Sequence, residues 1–288
     1  MLLTDPVRPR PLVDLDAVRE VSRAVSDAHL FIYLVREART MAAELGVTAR
    51  GPAYLAFRAA ALGAVPWQVV LATFYNFSPQ WVRSMTGVWD AAAPERWQSA
   101  RFAVAARALR RVGVELTADR IAEARSLVDP VVAAADYAGK PLAAANASVA
   151  LPPDPLVALW QQITVVREWR GDAHFLVLAA NRVGPCECNV LHTATGRLPV
   201  GVVRATRGWT DEEWDAATAR LTARGWLHAD GTVTEAGLAA RERIEVETDE
   251  HCADFWAPIG AQKARRFAAL IAPIHDAFAA AGTFDQLR

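Results

Sequence analysis

The stretch at 156–181, LVALWQQITVVREWRGDAHFLVLAAN, decides the architecture, because it places ionisable groups where a core belongs. At about 100° per residue, Leu156, Leu159, Trp160, Ile163, Val177 and Leu178 share one helical face, and Arg167, Arg170 and His174 fall on that same face. Unpaired charges on a buried face are costly, so the pattern predicts facing carboxylates, a bound anion or a water-filled pocket. The competing reading breaks the helix at Gly171 and turns the charges out to solvent.

The bulk numbers bound what surrounds this helix. With 288 residues and 53% apolar content, the chain can build a substantial core in one large domain or two. Lys and Arg (31) nearly cancel Asp and Glu (32), leaving a formal charge of -1, so no global basic field draws the protein to nucleic acid or anionic lipid. The opening MLLTDPVRPRPLVDLD has no apolar leader pattern, and no later run stays uncharged long enough to span a bilayer. Cys186, Cys188 and Cys252 form no disulfide framework. The expected setting is the cytoplasm, with no membrane partner.

The chain divides softly at LPPDP, 151–155, an extended connector. Residues 1–150 read as a helical domain, and 151–288 as the central helix, a winged-helix module and a C-terminal helix. Residues 1–14 read as an ordered arm or a frayed tail. From Asp16 the apolar positions Val18, Val21, Val25, Ile32 and Val35 predict one long helix, with His29 and Tyr33 a turn apart. His29 is a satisfied core imidazole or a ligand contact. Arg58 sits among alanines. FYNFSPQWVRSMTGVWDAAAPERWQ crowds aromatics that read as core, though Tyr75 and Asn76 could bind a ligand in an apolar wall. The arginine run Arg101, Arg107, Arg110 and Arg111 reads as a solvated face. Thr117 caps the next helix, which is expected to stop before Pro130. The stripe at 258–280 around Phe267, Leu270, Ile271, Ile274 and Phe278 either packs on the core or forms a homodimer.

After Asn181 the pattern changes. Thr210 caps TDEEWDAATARLTARGWL, Gly225 ends it, LHADGTVT predicts two short strands around Asp230 and Gly231, and TEAGLAARERIE opens a new helix. This resembles a MarR-type winged helix-turn-helix over roughly 190–250. More broadly, the chain resembles an actinobacterial family with a helical N-terminal part before such a module. That resemblance rests on FYNFSP at 74–79, LWQQITVVREWRGDAH at 159–174 and IEVETD at 244–249. The chain departs from the family pattern at Trp169, where a histidine is expected, and at Cys186-Glu187-Cys188.

The resemblance implies a fold that is mainly α, with a winged-helix module carrying a short β-hairpin. It does not imply DNA reading. The helix that would enter the major groove begins Asp211, Glu212, Glu213, and the wing HADG has no Arg or Lys for phosphates. The same acids also suit an ordinary helix start.

Downstream, Leu238, Glu242, Glu245, Asp249, Cys252 and Trp256 share one stripe. The like charges Glu245 and Asp249 call for opposing cations. Arg167, Arg170 and His174 supply them, across a cleft that is a structural ion-pair network, a ligand pocket or an acid–base site. In the last case His174, Glu245 and Asp249 are catalytic, and Arg167, Arg170, His29, Tyr75 and Asn76 bind the ligand. Cys186, Cys188 and His192, with His251 or Cys252, fall short of the usual zinc spacing, so no metal is expected. No nucleotide-binding or hydrolase motif is present, so no cofactor is expected either. The reading is a small-molecule-binding protein that has lost DNA binding, an acid–base enzyme of secondary metabolism. The alternative is a ligand-sensing MarR-like transcriptional regulator.

Overall fold

A computed structural model describes residues 14–196 and 198–285, so the N-terminal arm lies outside the described residues but for Asp14. Helix α1 (Leu15–His29) starts where Asp14 accepts a hydrogen bond from Ala17 N, and it buries Val18, Val21 and Val25. It ends at His29, short of the expected Val35, and the chain tightens into a 3₁₀ turn at Leu30–Tyr33. The tighter turn stacks Phe31 on Phe278 at 4.0 Å and lays Tyr33 5.6 Å from His29. Helices α2 (Arg36–Glu44), α3 (Arg50–Ala59), α4 (Trp67–Phe74), α5 (Pro79–Met85) and α6 (Val88–Ala91) are short. Prolines open two stretches of this region: Pro66 precedes α4 and Pro79 begins α5, where Ser78 caps Trp81 N.

Helix α7 (Pro94–Val112) ends at Gly113, whose φ of 65° suits glycine. Helix α8 (Ala118–Ala134) is capped by Thr117 and continues through Pro130, where a stop was expected. Proline forfeits one i to i−4 bond, and the buried Val128, Val131 and Val132 around it hold the helix by packing. After α9 (Pro141–Ala147) comes α10 (Pro155–Ala180), whose cap Asp154 accepts from Leu156 N and Val157 N.

Helix α10 is the axis of the molecule and runs unbroken through Gly171. Its apolar stripe is only part of what it buries: Gln161, Thr164, Val165, Glu168, Trp169, Asp172 and Ala173 are buried too, around most of the circumference. The one-faced reading is corrected here, because helices pack against α10 from several sides and leave it little solvent face. Both α1 and α8 lie against it, as do α9 and α14.

Past α10 come α11 (Pro185–Thr193), α12 (Val200–Arg207), α13 (Asp211–Ala223), α14 (Glu235–Trp256) and α15 (Gly260–Ala280). The fold is mainly α, as the sequence indicates, but the expected β-hairpin is absent among the described residues. It shrinks to one antiparallel bridge between Leu227 and Val233. Thr232 N turns back onto Asp230 Oδ1 at 3.0 Å, and Thr234 caps α14 through Gly237 N at 3.0 Å. Turn and cap consume the residues that strands would need.

The largest apolar cluster draws on α1, α7, α10 and α15, from Val18 to Phe278, and so takes residues from both sides of residue 150. The stripe of Phe267, Leu270, Ile271, Ile274 and Phe278 is buried in it, with α15 against α1. A second cluster unites Val190, Leu191, Val203, Trp214, Leu221 and Leu227. Val177, Leu178, Val183 and Ile244 form a third, which joins α10 to α14. Among the described residues no single helix is long and apolar enough to cross a membrane.

Candidate functional site

Helix α14 brings its acids to α10. Arg170 Nη2 donates to Glu245 Oε2 at 2.9 Å and to Asp249 Oδ1 at 3.5 Å. Asp249 is fully buried and is held from its other side by Arg19 Nε of α1 at 2.8 Å. Arg19 also reaches Glu242 at 3.1 Å. Burying a carboxylate between two guanidiniums offsets its desolvation and pins α1, α10 and α14 together.

Arg167 goes elsewhere. It pairs with its neighbour Glu168, which is 1% exposed and also receives Arg58 Nε at 3.3 Å and Arg58 Nη2 at 3.0 Å. Burial alone would raise the Glu168 carboxyl, but the Arg167 and Arg58 charges outweigh it and hold the group far below the usual carboxylate range. Beyond lie Tyr54, which accepts from Arg58 Nη1 at 3.1 Å, then Tyr33, His29 and Arg101. His29 is therefore part of this inner cluster and does not reach the α14 acids. Arg101, read as solvated, is 1% exposed, with its guanidinium 4.9 Å from the Trp160 ring centroid. One turn past Glu168, Asp172 accepts Leu142 N at 2.9 Å and Ala143 N at 3.0 Å, capping α9 from outside. Burial pushes its carboxyl up to about 7, against those two hydrogen bonds.

His174 lies on a third environment, a cavity of about 260 Å³ between α10, α11, α12 and α14, which it shares with Asn76, His192, Arg207, Arg241 and Glu245. Phe175, Leu178, Leu191 and Ile244 supply apolar wall. Thr248 Oγ1 donates its one proton to Ile244 O at 2.7 Å, so at 3.0 Å from His174 Nδ1 it must accept. That fixes the proton on Nδ1 and leaves Nε2 as the basic nitrogen. Burial, with the Arg170 and Arg241 charges, lowers the His174 pKa to about 4 against the opposing pull of Glu245, so the ring is neutral at pH 7. Two buried polar atoms of cavity residues, Asn76 Oδ1 and Arg207 Nε, have no partner in the protein.

This pKa has a stability consequence. The folded value lies below the unfolded imidazole value of about 6.5, so the unfolded state binds the extra proton between them, and stability falls as pH drops from about 6.5 to about 4. The loss is at most about 3 kcal/mol, less the part that solvent screens. Across pH 7 to pH 5 the raised Asp172 carboxyl works in the opposite direction, so the reading is the change between proteins. His174→Gln should lose less stability, or gain more, than the wild type when urea midpoints at pH 7 and pH 5 are compared. An unchanged difference would place the imidazole in solvent.

Tyr75 and Asn76 act first as a latch. Tyr75, at an unusual φ of 47°, donates its hydroxyl to Val183 O at 2.6 Å. Asn76 O accepts Asn189 Nδ2 at 2.8 Å and Trp209 Nε1 at 3.2 Å, while Ser78 N donates to Arg207 O at 2.9 Å. Asn76 thus lines the His174 cavity, whereas Tyr75 lines a separate cleft of about 510 Å³ with Leu71, Phe77, Glu213, Ala216 and Arg220.

Helices α12 and α13, joined by a tight turn at Gly208–Thr210, have helix-turn-helix connectivity. Trp214, Ala217 and Leu221 face the module's core, which leaves Glu212, Asp215 and Ala219 on the opposite, exposed side. Two cations near this helix are tied to acids: Arg204 to Asp211 at 2.6 Å and Arg220 to Glu187 at 2.5 Å. Burial pushes the Cys186 and Cys188 thiols up to about 12. Among the described residues no three His, Cys, Asp or Glu side chains gather as metal ligands.

The sequence sets Glu245 and Asp249 against Arg167, Arg170 and His174, with His29, Tyr75 and Asn76 as further ligand contacts. The structure brings Arg170 to both acids and places His174, Glu245 and Asn76 on one cavity, while Arg167 turns to Glu168, His29 to Arg101 and Tyr75 to another cleft. Sequence reasoning missed Arg19, Glu168 and the depth of Arg58 and Arg101. An arginine among alanines at 58 was the available signal for a buried partner.

These features define a helical protein in which a helix-turn-helix element closes one wall of a polar cavity. The chain belongs to the helix-turn-helix family whose model matches residues 18–285. Comparisons with curated proteins and with solved structures found no match.

Proposed function

We propose that this chain is a small-molecule-binding protein on a winged-helix, MarR-like scaffold that no longer reads DNA, and that it is an acid–base enzyme of secondary metabolism. The observation that carries the reading is the His174 cavity. There Asn76, Arg207 and Arg241 line the cavity as polar residues and His174 Nε2 supplies a base, against an apolar wall. The matching ligand is a small, partly apolar organic anion that also carries an acidic proton or a hydroxyl. Neutral His174 takes that proton at Nε2, Thr248 fixes the ring, and Arg207 and Arg241 stabilise the oxygen on which charge develops. Glu245, bonded to Arg170, raises the basicity of the imidazole from nearby.

A second reading has its own support: Val203 and Arg207 of α12 line the cavity, so a bound ligand would bear directly on the helix-turn-helix. This is the ligand-sensing regulator. Against it stands the acidic outer side of α13, which would face phosphates.

Benzoate, an apolar ring with one carboxylate, serves as the probe in titration calorimetry at pH 7. Saturable binding should weaken about tenfold or more in Arg241→Ala, as expected for loss of a charged hydrogen-bonding partner. No saturable heat in the wild type, or equal binding by the variant, would remove the cavity from the account.

A further inference from the structure

The inner cluster around Glu168 holds more positive charge than its own acid can balance. Arg58 and Arg167 share Glu168, while Arg101 has no carboxylate among its partners. Arg101 Nη1 donates to Asn146 Oδ1 at 3.0 Å, and Nη2 donates to Thr164 Oγ1 at 3.3 Å and His29 Nε2 at 3.4 Å. Because a guanidinium can only donate, His29 Nε2 is the acceptor and the ring proton sits on Nδ1. Burial and the surrounding arginines lower the His29 pKa well below its ordinary value, so that ring is neutral. Burial pushes the Tyr33 hydroxyl up to about 12, which keeps its proton.

The unpartnered groups here are chiefly donors. His29 Nδ1–H, the Tyr33 hydroxyl, Arg101 Nε–H and Trp160 Nε1–H are all buried without an acceptor in the protein. They belong to one neighbourhood: His29 stacks on Trp160 at 5.5 Å and meets Tyr33 at 5.6 Å, and the Arg101 guanidinium lies over Trp160. Gln161 Oε1 is an unpartnered acceptor on the same helix, but it is uncharged and balances no cation. Buried donors without acceptors cost about 1–3 kcal/mol each, and an excess of buried cations costs more. Water would supply acceptors but no negative charge. A species that only accepts hydrogen bonds and carries one negative charge answers both deficits.

We infer that the buried cluster of Arg101, His29 and Tyr33 binds a small, singly charged anion of chloride or formate size. The Arg167 side chain, 25% exposed, pairs with Glu168 at the edge of the cluster. This site is separate from the His174 cavity and does not depend on the function proposed for it. Its role is to complete the core on which α1, α7 and α10 converge.

The test starts from full-length protein exchanged into gluconate, an anion too bulky for a buried site. Chloride and formate are then titrated separately at constant ionic strength, and melting temperature is read. Either anion should give a saturable rise of about 3–8 °C. Arg101→Gln is the obvious variant but can fail to fold, so Tyr33→Phe decides. It removes a hydroxyl without a protein partner and should raise the half-saturating concentration about tenfold. Arg241→Ala, which serves the other cavity, should leave this response untouched, so the two sites fail independently. Equal melting in gluconate, chloride and formate, or half-saturation unmoved by Tyr33→Phe, overturns the proposal.

Discussion

Glu168→Gln should destabilise the protein by about 3–5 kcal/mol at pH 7, the cost of leaving a buried ion pair with one partner. Glutamine keeps the shape and one acceptor, but Arg58 and Arg167 then remain as cations facing no negative charge. Arg58 is 6% exposed and cannot swing to water without opening the packing around it. A denaturant midpoint measures the loss. The double change Arg58→Met with Glu168→Leu should cost much less than Glu168→Gln alone, since it removes charge and countercharge together. A Glu168→Gln loss under about 1 kcal/mol would mean that the arginines are solvated, since surface pairs contribute no more than that.

Gly208→Ala should cost about 2–4 kcal/mol through backbone strain combined with overpacking. Gly208 adopts a φ of +73°, and a Cβ there would lie 2.4 Å from Trp81 Cβ, an atom next to the backbone that has little freedom to move. The turn between α12 and α13 is therefore pressed against α5, beside the hydrogen bond from Ser78 N to Arg207 O. The damage should be local as well as global: the Ser78 amide should lose protection from hydrogen exchange before the core amides do. Adding Trp81→Ala should relieve only the ring contacts at 2.7 Å, because alanine keeps the Cβ and the positive φ is unchanged. An unchanged midpoint with an unchanged Ser78 amide would show that the module is not docked there.

How much of this is legible in the sequence depends on whether a contact is set by periodicity along one helix or by what arrives from elsewhere. Periodicity brings Arg170 of α10 to Glu245 and Asp249 of α14, although Leu238 and Glu242 of the expected α14 stripe are exposed. Arg167 escaped because a one-faced reading assigns it to the same partners, whereas α10 is wrapped by other helices and residue 168, about 100° further round, is equally buried. Arg101 escaped for the converse reason. A run of arginines on a helix looks solvated unless something identifies the helix that covers one of them, and here Trp160 and His29 do so from far away in the chain. The wing reads as a hairpin because a Gly at 231 flanked by Val and Leu suits one, yet side-chain turns at Asp230 and Thr234 leave one bridge.

We propose that this helix-turn-helix serves a ligand and not a groove. Fluorescence anisotropy of a mixed-sequence labelled duplex, titrated with the full chain at low salt, addresses it most directly. The expected result is no saturable binding, or weak binding that Asp211→Lys with Glu212→Lys strengthens, because the outer side of α13 then no longer repels phosphate. Tight binding by the wild type that falls steeply with added salt and picks out one sequence would contradict the account.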